Sequence, residues 1–173
     1  MKGLLSLTAF DEKSGDVNVV IESPRGCGNK YTFDEKRGLF YLSGILTAGH
    51  SFPFDYGFIP GTLGGDGDPV DVLLLIDEPV FTGCLVPSRL IGVIEAEQTE
   101  DETVRNDRFI AVPVKSKTHE HIKSLKDLSE TLLVQMEHFF VSYNEMKDKV
   151  FEPIGRLGPR KAMQLLNESI VKG

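Results

Sequence analysis

Cysteine is scarce in this chain of 173 residues: Cys27 and Cys84 stand alone and far apart. That excludes a disulfide framework and the paired spacing of a structural zinc site, and it points to reduced thiols. Charge of one sign is also lacking. Nineteen Lys and Arg face 26 Asp and Glu, the net charge is −7, and no basic block occurs. Nucleic acid and anionic membrane are therefore poor partners, although an acidic protein can hold a polyanion when metal ions supply positive charge. No apolar run approaches the length of a membrane span. The apolar stretch near Met1 is short and ends at Asp11-Glu12, which does not make a secretion signal. A Gly-x-x-x-x-Gly-Lys-Ser/Thr phosphate loop is missing. Internal repeats, linkers and low-complexity tracts are missing too. One domain spanning 1–173, in the cytoplasm, is the expectation.

What is present is concentrated in Gly65-Asp66-Gly67-Asp68-Pro69-Val70-Asp71, followed by the apolar run 72–76. Gly67 allows a turn that a side chain would oppose. Pro69 fixes its own φ and restricts Asp68 before it. Three carboxylates on a stiff loop at the mouth of a strand suit a hard divalent cation, which commonly brings a phosphate substrate. An EF-hand reading fails, because Val70, Asp71 and Asp77 stand where that loop needs an oxygen ligand, a glycine and a glutamate. A solvated acidic turn is the plain alternative.

The rest of the chain reads as strands followed by helices. Residues 17–23 form a strand with Glu22 near its end. Residues 30–34 and 39–42 form a hairpin about the turn 34–38. Residues 50–61 repeat Pro and Gly too often for a helix and read as a packed loop. Residues 85–95 read as a strand pair punctuated by Pro87, and 109–114 closes the strand-rich part. From Glu130 to Lys147, Leu132, Leu133, Met136, Phe139, Phe140 and Tyr143 recur at helical spacing as one apolar stripe, core-facing for all of them except Tyr143. Pro159 opens a second helix, with Ala162, Leu165, Leu166 and Ile170 on its apolar face. The pattern predicts an α+β fold, a small closed barrel with two C-terminal helices alongside.

Six segments together resemble the soluble family I inorganic pyrophosphatases. They are Val20-Ile21-Glu22, Lys30-Tyr31, Asp55 to Ile59, Asp66 to Leu73, Ala111-Val112-Pro113, and His138-Phe139-Phe140 with Tyr143. The resemblance implies a five-stranded OB-like barrel and Mg2+-dependent hydrolysis of pyrophosphate to two phosphates, with Mn2+ or other divalent cations as substitutes. It also implies a homo-oligomer, commonly a hexamer among bacterial members. Carried over by position, it gives Asp66 and Asp71 as metal ligands, Asp71 shared between two ions. Asp68 becomes the base toward a metal-coordinated water as well as a metal-site residue. Glu22 holds a further metal on the substrate side, and Lys30, Tyr56 and Tyr143 contact phosphate oxygens.

The chain departs from the family pattern elsewhere. Ser43 stands near the place of an Arg, Thr32 replaces a Glu, and Asn144 replaces a Lys. Asn106-Asp107-Arg108 replaces Asp-x-Lys, and a further Asp falls near Glu97 or Gln98. Asn106 is then a weaker metal ligand with one neutral oxygen, and Arg108 a phosphate contact of changed geometry. Asp107, Glu97, Asp101, Arg105, Arg37 and Arg25 are the candidate compensators. These departures leave two other readings open: hydrolysis of another phosphoanhydride, or a non-catalytic protein that binds metal and phosphate.

Overall fold

The computed structural model describes residues 4–171. Residues 1–3 and 172–173 lie outside the described residues. The strands are β1 (Val17–Ser23), β2 (Asn29–Asp34), β3 (Leu39–Ile45), β4 (Asp55–Phe58), β5 (Asp71–Leu74), β6 (Leu85–Thr99), β7 (Thr103–Arg105) and β8 (Arg108–Pro113). Helix α1 (Glu130–Glu145), strand β9 (Val150–Leu157) and helix α2 (Pro159–Ser169) follow.

Five strands close a ring. The sheet runs β1-β4-β5-β8-β6, and β6 pairs back with β1. This is the expected OB-like barrel. β7 and β9 extend it from β6, and β2 with β3 form a separate two-stranded ribbon. Pairing is antiparallel except between β5 and β8, which run parallel with Asp71 opposite Arg108.

Alternation explains why the run 72–76 is apolar throughout. Successive side chains of a strand point to opposite faces, and here both faces are covered. Val72 and Leu74 join the cluster that Ala162 and Leu166 of α2 complete. Leu73 and Leu75 join the one that Leu133, Met136 and Phe140 of α1 complete. β8 divides in the same way, Phe109 and Ala111 against Ile110 and Val112. Both predicted helices are present, with Ser129 capping α1 through Leu132 N–H and Pro159 in the first turn of α2.

Three sequence expectations need correction. The segment 50–61 contains β4, because Tyr56, Gly57 and Phe58 pair with both β1 and β5. Its glycine has a steric reason: a Cβ at Gly57 would stand 2.0 Å from the Val20 carbonyl oxygen. Residues 85–99 form one long strand rather than two. Pro87 sits opposite Asn18, and its carbonyl accepts from Val114 N–H at 3.0 Å, so the strand continues through it. Finally, β9 separates the two helices. It pairs with β6 alone, and Pro153 falls at the register shift beside Ala96, where a missing donor costs least.

Candidate active site

The acidic loop is built as its glycines and prolines require. Gly67 adopts φ +89°, a conformation that suits only glycine well. The loop closes through Gly64 N–H to the Asp68 carbonyl at 2.7 Å. Thr62 Oγ1 accepts from Val70 N–H at 3.1 Å and anchors its far end. Asp66 and Asp68 are exposed, and Asp71 is half-buried at the start of β5. Asp66 Oδ1 accepts from Asp68 N–H at 3.2 Å.

The loop forms one rim of a cavity of about 680 Å³. Glu22, Lys30, Tyr56, Asn106, Arg108 and Tyr143 also reach that cavity, so every candidate site residue is brought together there. None of the four histidines lines it, and His50 is exposed away from it.

Glu22 lies at the end of β1 with 8% of its surface exposed, and its Oε1 accepts from Phe33 N–H at 2.9 Å. Burial, followed by the charges of Asp71 and Asp68, pushes its pKa to about 7 against one favourable hydrogen bond. Asp66 is also raised, by partial burial and then by Asp71 and Asp68, despite the bond from Asp68 N–H. The carboxylates thus repel one another, and the nearest cations, Lys30 and Arg108, offset only part of that.

The opposite wall is basic and aromatic. Arg108 is 4% exposed, and its Nη1 stands 2.7 Å from Asp71 Oδ2. Its guanidinium lies 4.9 Å from the ring centre of Phe140 and 5.0 Å from that of Phe151. Its Nε is buried with no hydrogen-bond partner among the described residues. Tyr56 is buried on β4, and burial followed by Asp71 raises its hydroxyl well above the ordinary tyrosine pKa. Tyr143, near the end of α1, lies beneath the Lys30 ammonium, 5.9 Å from its ring centre. Burial disfavours the Lys30 charge, but Tyr143, Asp71 and Glu22 outweigh that and keep its pKa above the usual lysine value.

The departures from the family pattern fall into neutral pairs. Thr32 Oγ1 and Ser43 Oγ share a hydrogen bond of 2.7 Å across β2 and β3. Asn106 Nδ2 donates to Gln98 Oε1 at 3.1 Å, and Asn106 Oδ1 accepts from Arg108 Nη1. The Asn106 oxygen is therefore turned to Arg108. Asn144 donates to the Phe140 carbonyl at 2.8 Å, within its own helix.

Four of the six named compensators are engaged elsewhere, and Glu97 and Asp101 do not line the cavity. Asp107 accepts from Ala96 N–H and from Arg105, Arg37 pairs with Asp34, and Arg25 reaches the carbonyls of Ile76 and Asp77. Lys147 and Lys149 are the cavity-lining cations that sequence reasoning missed, and Lys149 is paired with Glu100. Helical spacing could have found Lys147, since it stands four residues after Tyr143.

Hard divalent cations take oxygen donors, and Glu22, Asp66, Asp68 and Asp71 supply a donor set of that kind. Among the described residues no three acidic, imidazole or thiol groups already converge on one point. Asp71 leans toward Arg108 and Asp66 toward its own loop, so side-chain rotation would have to gather them. The raised pKa values of Glu22 and Asp66 express the same need for positive charge. Among the described residues no helix is long and apolar enough to cross a membrane.

Residues 19–172 match the family model described as inorganic pyrophosphatase. The inorganic pyrophosphatase of Synechocystis is 37% identical over 166 residues, 96% of each chain. That of Geobacillus stearothermophilus is 35% identical over 164 residues, 95% of this chain and 96% of its own. The crystal structure of inorganic pyrophosphatase from Thermus thermophilus superposes with a TM-score of 0.89 at 32% identity, covering 98% of this chain and 97% of that one. Together with an acidic loop that faces a basic wall across one cavity, these matches place the chain in the inorganic pyrophosphatase family, which implies a divalent metal cofactor.

Proposed function

We propose that this chain hydrolyses inorganic pyrophosphate to two phosphates, using divalent cations held by Glu22, Asp66, Asp68 and Asp71. Mg2+ is the first choice, with Mn2+ as a substitute. The observation that carries the reading is the division of one cavity into a carboxylate rim and a wall of Lys30, Arg108, Tyr56 and Tyr143. When bound, the cations would supply charge to phosphoryl oxygens and acidify a water for attack.

The chain's own residues then divide the work. Lys30 and Arg108 balance the charge that gathers on phosphoryl oxygens. The Tyr56 and Tyr143 hydroxyls, kept protonated by burial, donate hydrogen bonds to the same oxygens. Asp68 lies exposed at the cavity edge and is the proposed proton acceptor, since an acceptor needs only hydrogen-bond reach of the water it deprotonates. Asn106, with its oxygen turned to Arg108, holds the guanidinium in place. A metal contact from Asn106 would first have to break that bond.

A cytoplasmic location fits the two free thiols, Cys27 and Cys84. Assembly from copies of the chain is supported by exposed apolar side chains on β3, with Ile45 73% and Leu39 64% exposed. Net negative charge argues against nucleic acid as a partner.

The test is phosphate release from pyrophosphate with Mg2+ or Mn2+, beside the Asp68→Asn variant. The variant is expected to lose about 10²- to 10⁴-fold in kcat and to lose far less in Mn2+ affinity, since Glu22, Asp66 and Asp71 remain to hold the cations. Equal turnover by the two proteins would remove Asp68 as the base. Absence of turnover in the folded parent would leave a metal- and phosphate-binding protein.

A further inference from the structure

Lys147 follows the last turn of α1, and its placement is set by how that helix ends. Lys149 N–H donates to the Asn144 carbonyl at 3.1 Å, and Asp148 N–H to the Glu145 carbonyl at 3.1 Å. Between them Asp148 adopts φ +57°, the one non-glycine residue with positive φ among the described residues. This closure resembles a Schellman motif, and it carries the helical path to Lys147, one turn beyond Tyr143. The residue is exposed along its stem, but its ammonium turns inward. Lys147 Nζ donates to Tyr143 Oη at 2.5 Å and lies 4.2 Å from the Tyr143 ring centre.

Lys30 approaches the same ring from β2. Two ammonium groups therefore bracket one phenol, and among the described residues neither has a carboxylate within ion-pairing distance. Nearby Lys149 is already paired with Glu100 at 2.6 Å. Burial and then repulsion by Lys30 lower the Lys147 pKa to about 8, with Lys149 adding to the decrease and Asp71 opposing it. Like charges facing one cavity without a counter-ion are favourable only when an anion joins them.

We propose that Lys147 is a substrate-binding residue, an ammonium that joins Lys30 across Tyr143 to clamp one phosphate group of the bound diphosphate. This rests on the pyrophosphate reading above and adds a contact that the sequence resemblance did not assign. It also accounts for the cation missing at Asn144, whose amide is spent on the Phe140 carbonyl.

The test is calorimetric titration of methylenediphosphonate, a diphosphate that cannot be hydrolysed at its bridge, into Mg2+-loaded parent, Lys147→Met and Lys147→Arg proteins. At pH 7, Lys147→Met is expected to bind about 10- to 100-fold more weakly, and Lys147→Arg to recover most of that loss. The gap between parent and Lys147→Met should narrow toward pH 9, where the parent's ammonium gives up its proton. The groups facing it (Lys30, Tyr143, Lys149 and Asp71) are common to both proteins. Equal affinity at pH 7 would overturn the proposal. So would a loss that stays constant with pH, which would mark Lys147 as a structural prop for Tyr143. Parent protein that binds the diphosphonate and leaves pyrophosphate intact would sink the reaction alone, and the affinity ratio would still decide Lys147. Parent that binds neither would sink both.

Discussion

The two sides of the cavity are made in opposite ways. The acidic rim is mostly one stretch of chain, 66–71, with Asp66 and Asp68 exposed and held by turn geometry, and with Glu22 and Glu35 as its distant members. The basic wall gathers Lys30, Arg108, Tyr143 and Lys147 from three separate parts of the fold and buries Arg108 among aromatic rings. The difference matches what each side would hold. Short exposed carboxylates can turn to admit and release hydrated cations. Cations that must stay charged with no anion present are held by ring faces and by Asp71.

The largest blow to this contrast should come from Arg108→Met. Removing the buried guanidinium leaves the half-buried Asp71 without its ion-pair partner, at a cost toward the low end of about 3–5 kcal/mol. Chemical denaturation of metal-free protein measures it. A loss below about 1 kcal/mol would mean that solvent already screens Asp71, and that the wall is less dry than its burial suggests.

Glu22→Gln sharpens the same comparison from the acidic side. Glu22 has its folded pKa raised from 4.5 to about 7. Its contribution to stability is thus greatest below about pH 4.5 and is lost as pH rises toward 7. Above that the ionised group is a burden of up to about 3 kcal/mol in metal-free protein. The variant should therefore melt higher than the parent at pH 8 in chelator, and the two should converge at pH 4.5. With Mg2+ the order at pH 8 should reverse. A variant less stable than the parent at pH 8 in chelator would refute the assignment of strain to Glu22.

The smallest effect is expected at the turn that places Lys147. Asp148→Gly relieves a positive φ and should stabilise by about 1 kcal/mol or less, partly offset by the freedom glycine gains in the unfolded chain. Thermal unfolding reads it. Marked destabilisation would show that the Asp148 side chain supports the turn.

This contrast also explains what could be read from the sequence. The acidic rim was legible because its spacing is local: Gly67, Pro69 and three aspartates spell out a turn, and the apolar run behind them spells out a strand. The α1 stripe and the Pro159 helix start were legible for the same reason. Strand β4 was hidden by the glycine and prolines of its neighbourhood, since Gly57 is required by the close Val20 backbone and not by a turn. β9 was hidden because it is peripheral and interrupted by Pro153. The Thr32–Ser43 and Gln98–Asn106 pairs looked like four separate losses, because pairing across strands is not written in either partner alone. Lys147 was passed over because the resemblance directed attention to position 144.

The parallel pairing of β5 with β8 sets Asp71 opposite Arg108. A slip by one residue in either direction would bring Val72 or Val70 opposite the guanidinium and strand a buried charge. Sheets with polar or featureless strands tolerate such slips, but this one would incur several kcal/mol for each wrong alignment. The ion pair of the cavity therefore also acts as a registration mark for the barrel: a chain that has joined these two strands correctly has, by the same contact, joined the two sides of its site.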